Sequence, residues 1–103
     1  MSFVELCRQL VAVDSTPSRG NKEAAEFLGK LCEEAGLHAE YQHEMLDGLE
    51  QCNLIVRPTK EFPEEELLLQ THLDTVDPGH FSLWTRTQSN PFNASINKDL
   101  LYG

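Results

Sequence analysis

Between Glu66 and Asp77 the chain reads Leu67-Leu68-Leu69-Gln70-Thr71-His72-Leu73-Asp74-Thr75-Val76, an apolar run that delivers a His and an Asp together at its end. Three consecutive leucines leave no polar face, so the run predicts a β-strand covered on both sides, the pattern of a strand inside an α/β sheet. On an extended backbone, residues two apart point the same way, which puts His72 and Asp74 on one side. A neutral imidazole there can ligate zinc, and a nearby carboxylate can hold it in the tautomer that presents its free nitrogen to the metal. In open α/β sheets such a site lies beyond the carboxyl ends of the strands, where His72 and Asp74 fall. No other stretch supplies a matching set of His, Asp and Glu, so the pair reads as half of a metal site.

The rest of the chain predicts the layers around that strand. Ser2 with Glu5 forms a capping-box pattern, and Phe3, Leu6, Cys7, Leu10 and Val11 recur at helical spacing, predicting a helix from Phe3 to Val13. Asp14-Ser15-Thr16-Pro17-Ser18 ends it. Ala24, Phe27, Leu28, Leu31, Cys32 and Ala35 then mark one face of a second helix that stops at Gly36, and this stripe is expected to pack on a sheet. His38–Gln42 and Cys52–Val56 read as strands, with an Asp47-Gly48 hairpin turn between them. Pro58–Glu66 is a charged connection. After Val76 the pattern becomes irregular, with Pro78-Gly79, Trp84, Asn90-Pro91 and Phe92, before a short strand pair at Ala94–Ile96 and Leu100–Tyr102.

Taken in order, Asp14-Ser15-Thr16-Pro17, the helix to Ala35-Gly36, Asn53-Leu54-Ile55, His72-Leu73-Asp74-Thr75-Val76, Trp84, Pro91-Phe92 and Leu100-Leu101-Tyr102-Gly103 closely resemble the N-terminal part of the dinuclear zinc deacylases and exopeptidases. That group includes acetylornithine deacetylase, succinyl-diaminopimelate desuccinylase, aminoacylase and carboxypeptidase G. The resemblance spans essentially the whole chain, and the ordered set is specific where H-x-D alone is not. Departures are Thr71 where Gly or Ser is frequent, Asp77 where Pro is common, and Asn97-Lys98-Asp99 in place of an Asp-Gly turn. They touch the substrate subgroup.

The resemblance implies an α/β fold: the N-terminal part of a three-layer α/β/α zinc-exopeptidase-like catalytic domain, with two helices packed on a mixed sheet. It implies that His72 binds one of two zinc ions and that Asp74, the site's carboxylate, orients that His. The family's two ions, ~3.5–4 Å apart, share a water and polarise an amide carbonyl. The bridging aspartate, the glutamate base and the other ligands would follow Gly103. Residues 1–103 are thus expected to be an incomplete catalytic domain, at most one partial zinc site, and inactive alone. The complete enzyme would cleave N-acyl amino acids or small peptides. The alternative is a non-catalytic truncated fragment or interaction module that associates through an open sheet edge, and self-association or partial disorder near Phe81–Gly103 is expected.

Composition narrows the partners. A formal charge of -9 disfavours nucleic acid and anionic membranes, both polyanions. No stretch approaches the ~20 apolar residues that span a bilayer, and Met1–Glu5 lacks a basic leader pattern, so a cytoplasmic location is expected. Cys7, Cys32 and Cys52 fit neither disulfide nor zinc-knuckle spacing and read as buried free thiols. His38 and His43 fall on the strand and turn after the second helix, away from the site. His80, near Pro78-Gly79, reads as a solvated loop residue, and Trp84 and Phe92 as supports for the loop. Ser15 has no His placed to activate it. Glu44, Asp47 and Glu50 form no ligand spacing and read as surface, as does Glu64-Glu65-Glu66.

Overall fold

A computed structural model describes residues Met1–Gly103 as two helices and two small antiparallel sheets. In chain order these are α1 (Phe3–Val11), α2 (Lys22–Glu34), β1 (His38–Leu46), β2 (Leu49–Arg57), two 3-10 turns (Phe81–Leu83 and Thr85–Thr87), β3 (Ser95–Asn97) and β4 (Leu100–Tyr102). No helix is long and apolar enough to cross a membrane.

Local chemistry explains the boundaries. At the start of α1 the Ser2 hydroxyl accepts from the Glu5 N–H at 3.1 Å, but the reciprocal half of the capping box is absent. The Glu5 carboxylate instead accepts from Gln9 at 3.1 Å, one turn on. Helix α2 ends in a Schellman motif: Gly36 N–H donates to Glu33 and Leu37 N–H to Cys32, both at 2.9 Å. Gly36 supplies the positive φ of 85° that the motif requires.

The β1–β2 hairpin follows its turn. Asp47 and Gly48 both take positive φ, 51° and 79°, the type I′ geometry that matches strand twist. Leu46 therefore faces Leu49, and the register runs to His38 opposite Arg57. The pair flanking a two-residue turn is hydrogen-bonded, and such pairs recur at every second position. Gln51, Asn53, Ile55 and Arg57 thus aim their N–H and C=O groups at β1. Cys52, Leu54 and Val56 aim theirs at the outer edge of β2.

Helix α2 packs on this hairpin with Ala24, Ala25 and Gly29 buried. A Cβ at Gly29 would collide with the Tyr41 phenol, so glycine permits the close approach. The loop before α2 covers the first part of the outer edge of β2. Asn21 Oδ1 accepts from the Cys52 N–H at 2.7 Å, and Gln51 Oε1 accepts from the Asn21 N–H at 3.2 Å. Asn21 therefore leaves its own helix without a side-chain cap. Lys22 Nζ lies 2.9 Å from the Glu50 carboxylate, and His43 Nδ1 lies 3.1 Å from the same group.

Several expectations need correction. Leu67–Leu69 is not a strand covered on both faces: it carries no regular structure and its leucines are 87, 79 and 86% exposed. An extended segment becomes a strand only when neighbours satisfy its backbone, and none lies beside this one. The sheets are antiparallel rather than mixed for the same reason. Of the two helices, α2 makes the extensive contact with a sheet. α1 has no buried residue, and Phe3 is among the exposed apolar side chains. Of the three free thiols only Cys52 is buried. His43 lies within β1, not in a turn.

The exposure of Phe3 and Leu67–Leu69 has one setting, an apolar core that these elements do not close. The accessible surface is 8044 Å2, whereas a folded chain of this size ordinarily shows about 5,900 Å2. The radius of gyration is 15.8 Å against about 13 Å for a compact domain of this length.

Candidate functional site

The His72–Val76 segment is held in place from outside itself. Asp14 Oδ1 accepts from both the N–H and the hydroxyl of Thr16, at 3.0 and 2.6 Å, fixing the turn after α1. Ser15 and Thr16 are buried there. The Ser15 carbonyl then accepts from the Thr75 N–H at 3.1 Å. This bond ties the end of the His-Asp segment to the α1–α2 loop.

Next to that tie, His72 Nδ1 lies 2.8 Å from the Asp74 backbone carbonyl and 3.3 Å from Asp74 Oδ1. A carbonyl oxygen can only accept, so the short contact requires the proton to sit on Nδ1. In the neutral ring Nε2 then carries a lone pair. His72 and Asp74 side chains are 82% and 67% exposed, so that nitrogen is open to a ligand. The expected pairing of the two residues is present, with one difference. The nearer acceptor is the main chain of Asp74, which no side-chain pattern encodes.

His72 and Asp74 lie on the rim of an open cleft of about 740 Å3, whose walls include Leu10 and Val11 of α1, Leu28 of α2, and Trp84. Trp84 is fixed by its Nε1–H, which donates to the Pro78 carbonyl at 2.9 Å. Phe92 meets Phe81 edge to ring at 6.1 Å between centroids. These contacts fit the supporting role expected of both aromatics, since a ring held on its edge stiffens an irregular loop. Thr87, fully buried, closes the loop with its hydroxyl on the Trp84 carbonyl at 3.3 Å.

No three His, Cys, Asp or Glu side chains come together as a metal-binding group. The donor set fits one imidazole ligand of zinc with its orienting partner, and no more. His43 is occupied by Glu50 on the hairpin and stacks on Tyr41 at 6.2 Å between centroids. His38 opens β1 and His80 precedes the first 3-10 turn, so neither joins His72.

Two features escaped the sequence reading. The Thr75–Ser15 bond is between main-chain atoms distant in sequence and has no residue signature. The Lys22–Glu50–His43 cluster does have a partial one, because the Asp47-Gly48 turn fixes the register that brings His43 near Glu50. In that cluster the Lys22 hydrogen bond holds Glu50 below its ordinary value, and the same bond raises Lys22. Burial raises the Cys52 thiol and the Tyr41 phenol, so neither is primed as a nucleophile or base.

Compared with known protein families, curated proteins and solved structures, the chain matches none.

Proposed function

We propose that these residues are the N-terminal part of a zinc-dependent amidohydrolase or metallopeptidase acting on N-acyl amino acids or small peptides. In this reading His72 Nε2 is one zinc ligand and Asp74 is its positioning residue. The observation that carries it is the contact of His72 Nδ1 with Asp74, 2.8 Å to the carbonyl and 3.3 Å to the carboxylate. It is the outer partner that a metal-binding imidazole ordinarily has. The ordered resemblance of the whole sequence to the dinuclear zinc deacylases supports the same reading.

Zinc held in part by His72 would supply the polarisation of an amide carbonyl and the lowering of a water's pKa. The part these residues play is narrower. Asp74 holds the imidazole in one tautomer and one rotation. The Ser15–Thr75 bond anchors the segment that carries both. The cleft beside them is apolar at Leu10, Val11 and Leu28. With a single imidazole ligand, the 103 residues by themselves hold no two-metal centre and are expected to turn over no substrate.

The test is a zinc titration followed through the ring nitrogens of the four histidines by NMR. The His72 Nε2 resonance should move first, from a starting state with the proton on Nδ1. Movement of His38, His43 or His80 with His72 unchanged, or a His72 proton resident on Nε2, would overturn the assignment.

A further inference from the structure

We propose that Asp14 is a positioning residue for His72, acting from the turn after α1 along a hydrogen-bonded chain of two peptide groups. Its effect on zinc rests on the reading of His72 given above, whereas its geometry does not.

The chain follows from which atoms share a peptide plane. Asp14 Oδ1 accepts from the Thr16 N–H at 3.0 Å. That N–H belongs to the same planar group as the Ser15 carbonyl, which accepts from the Thr75 N–H at 3.1 Å. The Thr75 N–H in turn shares its plane with the Asp74 carbonyl, 2.8 Å from His72 Nδ1. In a trans peptide the N–H and C=O point in opposite directions, so each group donates on one side and accepts on the other. A carboxylate and an imidazole thus stand at the ends of an unbroken series that runs through the Ser15–Thr16 and Asp74–Thr75 peptides. The Asp74 carboxylate, 3.3 Å from the same ring nitrogen, acts beside this chain and not through it.

Such a chain does two things. It fixes orientation, because turning the Asp74 oxygen away from the ring would break the bond of the same peptide to Ser15. It also transmits charge. A peptide whose N–H donates to an anion carries more negative charge on its oxygen and is a better acceptor for the next donor. Asp14 therefore strengthens the acceptor that keeps the His72 proton on Nδ1 and leaves Nε2 free.

The carboxylate end is firmly held. Asp14 Oδ1 also accepts from the Thr16 hydroxyl at 2.6 Å. Ser15 and Thr16 are 4 and 5% exposed, so water competes little for the peptide between them. Pro17 follows with no N–H to draw the carboxylate away. The Thr16 carbonyl accepts from the Arg19 and Gly20 N–H groups at 2.9 and 3.0 Å, and Asn21 locks the end of the loop to Cys52.

NMR of the intact, zinc-free chain reads both links. In Asp14→Ala, exchange at the Thr75 amide should speed about fivefold, the weight of one hydrogen bond, and His72 should leave its single tautomer. The Cys52 amide and the circular dichroism should stay unchanged, since Asn21 holds the other end of the loop. Asp14→Asn keeps an acceptor oxygen and should keep the tautomer, while the Thr75 amide proton moves partway upfield with the lost charge. In a Thr75→Pro background, where the chain is cut, Asp14→Ala should add nothing to the change at His72. In a zinc titration, half the shift of His72 Nε2 should need about threefold more zinc in Asp14→Ala, less than the ~10–100-fold effect of a directly bonded partner. An unchanged Thr75 amide and His72 tautomer in Asp14→Ala overturn the inference, as does an effect on His72 of equal size with and without the Thr75 bond. Should Asp14→Ala unfold, Asp14→Asn decides: a Thr75 amide proton at its wild-type position overturns the inference. If wild-type His72 takes up no zinc, the zinc reading fails, while exchange and tautomer in the zinc-free chain still decide the role of Asp14.

Discussion

The Thr75 N–H donates to the Ser15 carbonyl at 3.1 Å and thereby fastens the His72–Asp74 segment to the turn that follows α1. The Leu67–Gln70 stretch leading into that segment has no such anchor. The candidate site is held from its far side, by the turn after α1, while the Leu67–Leu69 run before it makes no main-chain hydrogen bond.

Thr75→Pro removes that donor and should reduce stability by at least about 0.5–1.5 kcal/mol, the net value of one such bond, to which the ring's restriction of Asp74 adds. His72 should also lose its single tautomer as the segment loosens. Urea denaturation and the His72 ring nitrogens read the two effects. Unchanged stability with an unchanged tautomer would show that the bond positions nothing.

Asn21→Ala should cost about 1–3 kcal/mol, because it strips the Cys52 N–H of its acceptor while Cys52 stays buried. Asn21→Asp, which keeps the oxygen, should recover most of that loss. Equal losses in the two variants would assign the effect to helix α2 instead.

How far the sequence could be read divides along the same line. Both helices, the Gly36 stop, the Asp47-Gly48 turn, its two strands and the terminal strand pair are set by neighbours in sequence, and these were legible. The Leu67–Leu69 strand was not, since a strand is completed by partners that may be distant or belong elsewhere, and an apolar run reports only that cover is required. His72 and Asp74 were singled out together through period-two spacing, and their side chains lie 3.3 Å apart although the segment is no strand. Their contact through the Asp74 main chain was not, because a carbonyl is common to every residue.

Gly29→Ala tests the α2–β1 contact through a change of sign. A methyl at Gly29 meets the Tyr41 phenol and should destabilise by about 1–3 kcal/mol as overpacking. With Tyr41→Ala in place the clash is gone, and the same change should stabilise by up to about 1 kcal/mol through helix propensity. Additive effects in the two backgrounds would disprove the contact.

The Lys22–Glu50 pair predicts a pH window. Glu50 is held below its ordinary 4.5, first by the Lys22 hydrogen bond, so its contribution exists above that value and fades as pH falls through the depressed one. Lys22 is raised above 10.5, first by the Glu50 hydrogen bond, so its contribution exists below that value and fades as pH rises through the raised one. The stability difference between wild type and Lys22→Met should therefore be level near neutrality and shrink in acid and in strong base. A difference that grows below pH 4.5 would reverse the assignment.

Turnover of N-acyl amino acids, measured together with bound zinc in a longer chain that carries these residues, tests the zinc reading most directly. His72→Ala should lose one metal and nearly all activity. Asp74→Asn should keep the fold and lose about tenfold, the smaller end of the usual outer-partner effect, because the Asp74 carbonyl still holds the ring at 2.8 Å. Wild-type turnover with two bound zinc ions in His72→Ala would contradict the account.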